Sequence, residues 1–364
     1  MRRDTEDTME KTETIRELFA RRSVRVYEPR AIDQETKELI IDSAMQAPTA
    51  GNMALYTIID VTDPEKRAAL SELCDHQPFV AKAPVLLLFL ADFQRWYDGF
   101  GMVGQARLPS CGDLLLAYMD ALIAAQNAVV AAQSLGIGSC YIGDIIENCE
   151  DVSELFALPR YAAPAALLCF GYPTRQQQER PKPERYPRDS IVFENEYAMT
   201  DGDGLGAMFG SQQAAEKELS DMLARKWNAP FMAEMGRSAE KWLERWSRPA
   251  RLEMKLAPEP FEKILRGEKT IELRLDDKKR RLAAPGDTIV FTREGEPERK
   301  LSARVAALHR AESFEKLIAR LPAEKCGLAP GQTPDPHCME RYYTPEQERR
   351  WGVLGIELAD VRAL

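Results

Sequence analysis

The sequence predicts an α+β protein in two parts, a mixed α/β body followed by a small β-barrel. Apolar runs of strand length alternate with helix-period segments through the first part: "YTIIDV" (56–61), "PVLLLFLADF" (84–93) and "AALLCFGYP" (165–173). Past Pro249 the pattern changes to short strands punctuated by turn residues, the signature of a small barrel. Charge changes at the same place. From Arg251 onward there are 22 basic and 20 acidic residues, whereas the first 250 residues carry 27 and 38. A chain of 364 residues has the length of two or three domains. The boundaries read as a disordered N-terminus over 1–13, the α/β body with a helical extension over 14–248, and the barrel over 249–364.

The elements follow in order. "TIRELFA" has helical spacing and ends in "RRSVRVYEPR" (21–30), four arginines in ten residues of a chain whose net charge is −9. "IDQETKELIIDSAMQAP" is a helix with Asp33 as N-cap, Leu39, Ile40 and Ala44 at helical spacing, and Pro48 as its stop. "LLLAYMDALIAAQNAVVAAQSLG", from Leu114, is long enough to cross a bilayer. Asp120, Gln126, Asn127 and Gln133 interrupt it, at a cost in lipid that favours a helix buried in protein or at a subunit interface. Gly136 ends it, and "GIGSCYIGD" turns into a short strand. "GDGLGAMFG" (202–210) reads as a flexible connection. The helical stretch after it carries Leu219, Met222, Leu223, Trp242, Leu243 and Trp246 on apolar faces suited to a core or a dimer interface.

In the second part "RLEMKL" is a strand, "PEPFEKILRG" a short helix stopped by Gly267, and "KTIELRL" the next strand. "APGDTIVFTREGEPERKLSARVAALHR" supplies two more, with turns at Pro285-Gly286-Asp287 and Glu294-Gly295. Helices from Ser313 and from Thr344 precede a closing strand, "VLGIEL".

Composition narrows the function. With 29% charged and 45% hydrophobic residues the chain is of ordinary soluble type, and its acidity excludes a nonspecific nucleic-acid binder. Seven irregularly spaced cysteines, several in apolar runs, point to a reduced, cytoplasmic chain and not a disulfide framework. The polar start "MRRDTEDTMEKTET" lacks the apolar core of a signal peptide. Without a pair of CxxC motifs, and with His76, His309 and His337 far apart, no metal site is expected. Cys140 reads as a buried structural thiol.

On its own the arginine run reads first as a solvated loop after a helix. Its other reading is an anion site, since arginines around a serine supply the charge-assisted donors a phosphate monoester needs. Context favours the second. "RRSVRVY", "APTAGNMALY" (47–56), "GIGSCYIGD" (136–144) and "GYP…RPKPERYP" (171–187) occur in that order, and with "HQPFVAKAPVLLLFLADF" and "SIVFENEY" they resemble the nitroreductase family of FMN-dependent NAD(P)H oxidoreductases, especially its flavin-reductase branch. The resemblance covers roughly 14–248.

That resemblance implies a homodimer holding FMN, with NAD(P)H as hydride donor and a nitroaromatic, quinone or similar small molecule as acceptor. It places Arg21, Arg22, Ser23 and Arg25 in the FMN site: Arg21 and Ser23 toward the phosphate, Arg25 toward the pyrimidine edge. Lys182 and Arg185 match a second basic cluster closing on the phosphate. Thr49 and Asn52 match positions that contact the isoalloxazine from the partner subunit, and Gln77 matches a flavin-contacting glutamine. Tyr141, Ile142, Gly143 and Asp144 match the segment against the reactive flavin edge, where a residue without Cβ permits close backbone approach. No side chain of the protein is expected to act as a catalytic acid, base or nucleophile, because hydride transfer is cofactor chemistry.

"GEKTIELR" (267–274) fits G-x-K-x-x-E-x-R. With "PGDTIVF" and "WGVLGIEL" it resembles an ASCH domain, a PUA-like β-barrel, over 250–360. That family is linked to RNA or nucleotide ligands, and some members are amidohydrolases of modified nucleosides. Lys269, Glu272 and Arg274 are then the candidate ligand cleft, with a surface ion pair as the plain alternative. A different class of function also follows: a nucleic-acid or nucleoside binder whose flavin-binding part is a scaffold. "DDKKRRL" (276–282) is either a phosphate contact or a solvated loop.

Overall fold

The protein is described from a computed structural model, which covers residues 11–104, 106–328, 335 and 339–364. The expected disorder over 1–13 falls largely on residues outside those described, as do His337 and Cys338. The chain forms two compact units. One takes the chain up to Ala91 together with Leu116–Val152 and Pro164–Lys241; the other takes Asp92–Leu115, Ser153–Ala163 and Trp242–Leu364.

The first part of the chain runs α1 (Glu13–Ala20), α2 (Gln34–Met45), β1 (Tyr56–Asp60), α3 (Pro64–Leu73), α4 (Pro78–Lys82) and β2 (Val85–Asp92). It continues through α5 (Gln94–Val103), α6 (Cys111–Ser134), β3 (Gly138–Ile142), α7 (Cys149–Phe156), β4 (Ala162–Gly171) and α8 (Arg175–Glu179). The sheet order is β1-β2-β4-β3, with β1 antiparallel to β2 and β3 antiparallel to β4. Every residue of β2 and β4 is buried, which explains their unbroken apolar sequences: strands covered on both faces do not alternate. Asp33 caps α2 through the Thr36 N–H, as its sequence predicts. On α6 the small residues Ala117, Ala121, Ala124, Ala125, Ala128 and Ala132 are buried. Leu116, Met119, Leu122 and Ile123 of the same helix are exposed.

The stretch 202–210, expected to be a flexible connection, is instead mostly helical, forming α9 (Gly202–Met208). Asp201 caps it by accepting the Gly204 N–H, and a Cβ on Gly206 would lie 2.7 Å from Gln212 Oε1, so glycine here serves close packing. α10 (Gln212–Met222), a π-helical turn (Leu223–Trp227) and α11 (Pro230–Ser247) follow. Trp242 and Trp246 are core residues, whereas Leu219, Met222, Leu223 and Leu243 stand exposed.

In the second unit β5 (Arg251–Leu256), α12 (Pro258–Leu265), β6 (Ile271–Leu275), β7 (Thr288–Arg293), β8 (Glu296–Ala311), α13 (Phe314–Ile318), α14 (Pro345–Trp351) and β9 (Val353–Ala363) build a sheet of order β5-β7-β8-β9-β6. It is a half-barrel whose edges are β5 and β6. The longest strand, β8, carries register shifts at Ser302/Arg304 and Val305/Ala307 against β9; such bulges increase bend and twist. One core gathers Phe261, Phe291, Val305 and Ile356, and another Ile271, Leu273, Phe314 and Val353.

Candidate functional site

The arginine segment lies along the sheet end as a short edge. Ser23 bridges Ser139 in parallel and Tyr27 bridges Pro173 antiparallel. The Val24 N–H donates to Ser139 O at 3.0 Å and the Glu28 N–H to Tyr172 O at 2.8 Å. Two glycines admit it: a Cβ on Gly138 would lie 2.5 Å from Val24 Cγ2, and one on Gly171 would collide with the Tyr27 ring. Gly138 and Gly171 are register partners across β3 and β4.

Around this edge the basic side chains divide their work. Arg22 donates to the carbonyl oxygens of Gln178, at 2.7 Å, and Arg180. Arg180 in turn donates to Ser23 O at 3.1 Å, and the Arg25 N–H donates to the buried Gln177 Oε1 at 3.2 Å. Lys182 donates to Phe19 O at 2.6 Å. Desolvation, then Arg185, Arg21 and Arg22, hold the Lys182 ammonium below its ordinary range, so these four cations crowd together. Burial pushes the Cys140 thiol up, against the pull of Arg25, Ser23 and Arg21 beside it. Arg21, Arg22, Ser23, Arg25, Lys182, Arg185 and the β3 residues around Cys140 and Tyr141 thus share one neighbourhood.

The turn after β3 forms a second group. Gln77 Nε2 donates to Cys74 O at 2.8 Å and to Asp144 Oδ2 at 2.6 Å, so two residues 67 apart meet directly. Gly143 opens a 3₁₀ turn (Gly143–Ile146), with Ile142 buried and Tyr141 half-buried behind it. Thr49 and Asn52 sit on a separate 3₁₀ turn (Ala50–Asn52), where Thr49 Oγ1 accepts the Ala54 N–H at 3.1 Å. No hydrogen bond among the described residues joins that turn to the arginine edge. Asp120 of α6, buried, anchors it by accepting from Ala50 N at 2.9 Å and Leu55 N at 3.1 Å.

Sequence reasoning placed none of Asp120, Gln177, Arg180 or Glu147 in the site. Asp120 left a trace, as the one carboxylate in the apolar stretch from Leu114 to Ser134. Arg180 opens the quoted "RPKPERYP" without being singled out in it, and Gln177 and Glu147 left no trace, because only the fold brings them against the arginine edge and the β3 turn.

In the second unit a cavity of about 720 Å³ opens beside Lys269, Glu272, Arg274, Arg341, Tyr342 and Tyr343. Glu272 is 4% exposed, with Lys269 Nζ at 2.8 Å and Arg274 Nε at 2.9 Å. The ion pair expected at the surface, if the three residues were only structural, is buried instead. These approaches are close but poorly aligned, leaving Glu272 Oε2 and Arg274 Nε without a hydrogen bond among the described residues. Arg274 also donates to Lys255 O at 2.6 Å, tying edge strand β6 to edge strand β5. Burial opposes the Arg274 charge, yet Glu272 and Tyr343 more than offset it and hold its proton tighter than usual. At 276–282 the basic groups Arg280 and Arg281 pair with Asp277 and Asp276.

The nitroreductase family profile matches residues 18–172, and the FMN reductase [NAD(P)H] of Bacillus subtilis is 30% identical over 245 residues, covering 66% of this chain and 95% of that protein. The chain belongs to the nitroreductase family. The oxygen-insensitive NADPH nitroreductase of Salmonella typhimurium is 35% identical over 188 residues, 52% of this chain and 76% of that protein. Among solved structures, the NADPH:FMN oxidoreductase from Vibrio harveyi complexed with NAD+ is similar with a TM-score of 0.53 and 28% identity, over 62% of this chain and 98% of that one. Nitroreductase A from Vibrio parahaemolyticus is similar with a TM-score of 0.53 and 30% identity, over 60% and 93%. The ASCH domain profile matches residues 254–362, so this nitroreductase-family chain carries an ASCH domain after its flavin-reductase-like part.

Proposed function

We propose that the protein is an FMN-dependent NAD(P)H oxidoreductase, acting as a homodimer on a nitroaromatic, quinone or similar small acceptor. The observation that carries the reading is the arginine edge. Four cations, Arg21, Arg22, Lys182 and Arg185, crowd where no carboxylate accompanies them among the neighbours that set the Lys182 charge. Mutual repulsion within such a cluster is relieved when an anion is gathered there, and a phosphate monoester fits it. FMN, when bound, supplies the two-electron chemistry.

The chain's residues supply binding and position. Arg21 and Lys182 with Ser23 receive the phosphate. Arg22 and Arg180 fasten the 178–180 turn to the arginine edge, so they position more than they bind. Arg25 stands over the Phe79 ring at 6.0 Å and brings a cation to the pyrimidine side. Gln77, Gly143 and Asp144 border the ring, with the Gln77–Asp144 bond fixing the amide's orientation. Thr49 and Asn52 face the site of the partner subunit. The exposed Leu116, Met119, Leu122 and Ile123 stripe on α6 supports that dimer, as an apolar face calling for cover. The enzymatic part is taken as 14–248 and the barrel as 249–364. The buried thiols Cys74, Cys140 and Cys169 fit a chain kept in a reducing cytoplasm.

The test is acceptor-dependent oxidation of NADPH and NADH, with a quinone and a nitrofuran as acceptors, by wild type and by Arg21→Ala at limiting FMN. Turnover that the variant recovers only at higher FMN supports the reading; equal dependence on FMN in both proteins removes it.

A second reading concerns the ASCH domain alone. The 720 Å³ cavity beside the buried Glu272 favours a nucleotide-like or RNA ligand there. Calorimetry with nucleosides and a short RNA tests it: binding lost in Lys269→Ala while flavin reduction persists supports a separate ligand site, and no heat with any of them removes it.

A further inference from the structure

A buried carboxyl, Glu147, stands beside the Gln77–Asp144 pair, and neither hydrogen bond of that pair uses it. It ends the 3₁₀ turn (Gly143–Ile146), donating its own N–H to Asp144 O at 3.0 Å. It is 4% exposed, and its Oε1 has no hydrogen-bond partner among the described residues. Among the described residues the ionisable groups that act on it come from three elements, and all are carboxylates. Asp144 lies on its own turn, Asp75 follows α3 with the Cys74 thiol beside it, and Glu234 lies on α11. Arg237 of α11 is already committed, donating to Glu150 Oε2 at 2.7 Å and to Glu234 Oε2 at 2.8 Å. Burial first, then Asp144, Asp75 and Glu234, pushes the Glu147 carboxyl up to about 7.

We propose that the uncharged Glu147 carboxyl positions the flavin-facing turn, and that its ionisation releases that turn and weakens FMN binding. The inference rests on the reading that Gln77, Gly143 and Asp144 border the flavin. A charge at Glu147 would sit among three carboxylates, with Arg237, the cation on α11, already held by Glu150 and Glu234, a cost that burial magnifies. Relief requires drawing water inward or swinging the side chain out. Either movement loosens the turn that the Glu147 N–H closes on Asp144 O, the residue whose Oδ2 is the acceptor of Gln77. A structural buried position would be cheaper to fill with an apolar residue, whereas a carboxyl here couples the turn to pH.

The sign follows from linkage. The folded state holds the Glu147 proton more tightly than the unfolded chain, whose glutamate titrates near 4.5. The stabilisation is full below that pH and is lost as pH rises through about 7. The experiment is FMN titration of flavin-free protein, read by quenching of flavin fluorescence, from about pH 5.5 to 8.5, with wild type and Glu147→Gln. Melting temperatures of the flavin-free proteins are taken alongside. In wild type the affinity is expected to fall about tenfold across that window. The glutamine variant, isosteric and uncharged, should bind as tightly as wild type at pH 5.5 and stay level, and should melt above wild type at pH 8. Parallel pH curves for the two proteins, with FMN bound by both, would overturn the inference and leave the flavin reading standing. Failure of both proteins to take up FMN at any pH would overturn the two together.

Discussion

Val24 lies so close over Gly138 that a Cβ on the glycine would come within 2.5 Å of the valine's Cγ2. The arginine edge is therefore held by fit as much as by its hydrogen bond to Ser139, and the proposed phosphate site depends on Gly138 beneath it. Gly138→Ala should force the edge outward, costing about 1–3 kcal/mol by overpacking. Urea unfolding and FMN titration would both register it. Gly236→Ala, on an open stretch of α11 with nothing within 4 Å of the new methyl, is the control and should be neutral or slightly stabilising.

Arg21 and Lys182 are expected to carry affinity more than fold. Each charge-assisted bond to phosphate contributes about 1.5–3 kcal/mol. Arg21→Ala or Lys182→Ala should thus weaken FMN binding by roughly 10- to 100-fold, with the loss shrinking as salt is raised, because the cluster is partly solvated. Equal affinity in both variants and wild type would move the phosphate elsewhere.

Asp120 is a positioning residue for the Thr49 turn. Its two oxygens accept from Ala50 and Leu55, and Asp120→Asn retains only one acceptor. One buried N–H is left unpaired, at about 1–3 kcal/mol. Thermal unfolding reads that loss, and turnover should fall with it at saturating FMN if the turn faces the partner's flavin site as proposed.

Arg160 and Asp287 form a buried pair within the second unit, Nη1 lying 2.6 Å from Oδ2, and Asp287 also accepts from Ala250 N at 2.6 Å and Ala284 N at 2.9 Å. Asp287→Ala strands the guanidinium in the interior, a change of about 3–5 kcal/mol. Denaturant unfolding should show the second unit melting early. An unchanged midpoint would mean that water replaces the carboxylate.

Much of this architecture was legible because its signals are local. Asp33 before α2, the apolar runs of β2 and β4, and the turn at Pro285-Gly286-Asp287 each declare themselves within ten residues. The short strands after Pro249 were legible for the same reason. The helix at 202–208 was not, because its glycines spoke for a loop while its stability comes from the Asp201 cap and the packing of Gly206 on Gln212. Nor did the sequence mark Asp92–Leu115 and Ser153–Ala163 as companions of the C-terminal sheet; Arg160 reaches Asp287 across 127 positions. At the candidate site the arginines were visible as a cluster and Lys182 and Arg185 through resemblance. The supporting roles of Gln177 and Arg180 were invisible, since hydrogen bonds to the backbone across 150 residues leave no spacing to read.

The central claim, that the arginine edge holds FMN for hydride exchange with NAD(P)H, is tested most directly by the absorption spectrum of the purified protein. It is recorded before and after anaerobic addition of NADPH and then NADH. The account predicts a flavin spectrum that bleaches within the time of mixing and returns when a quinone is added. A colourless protein that neither retains added FMN nor oxidises either nucleotide would contradict it.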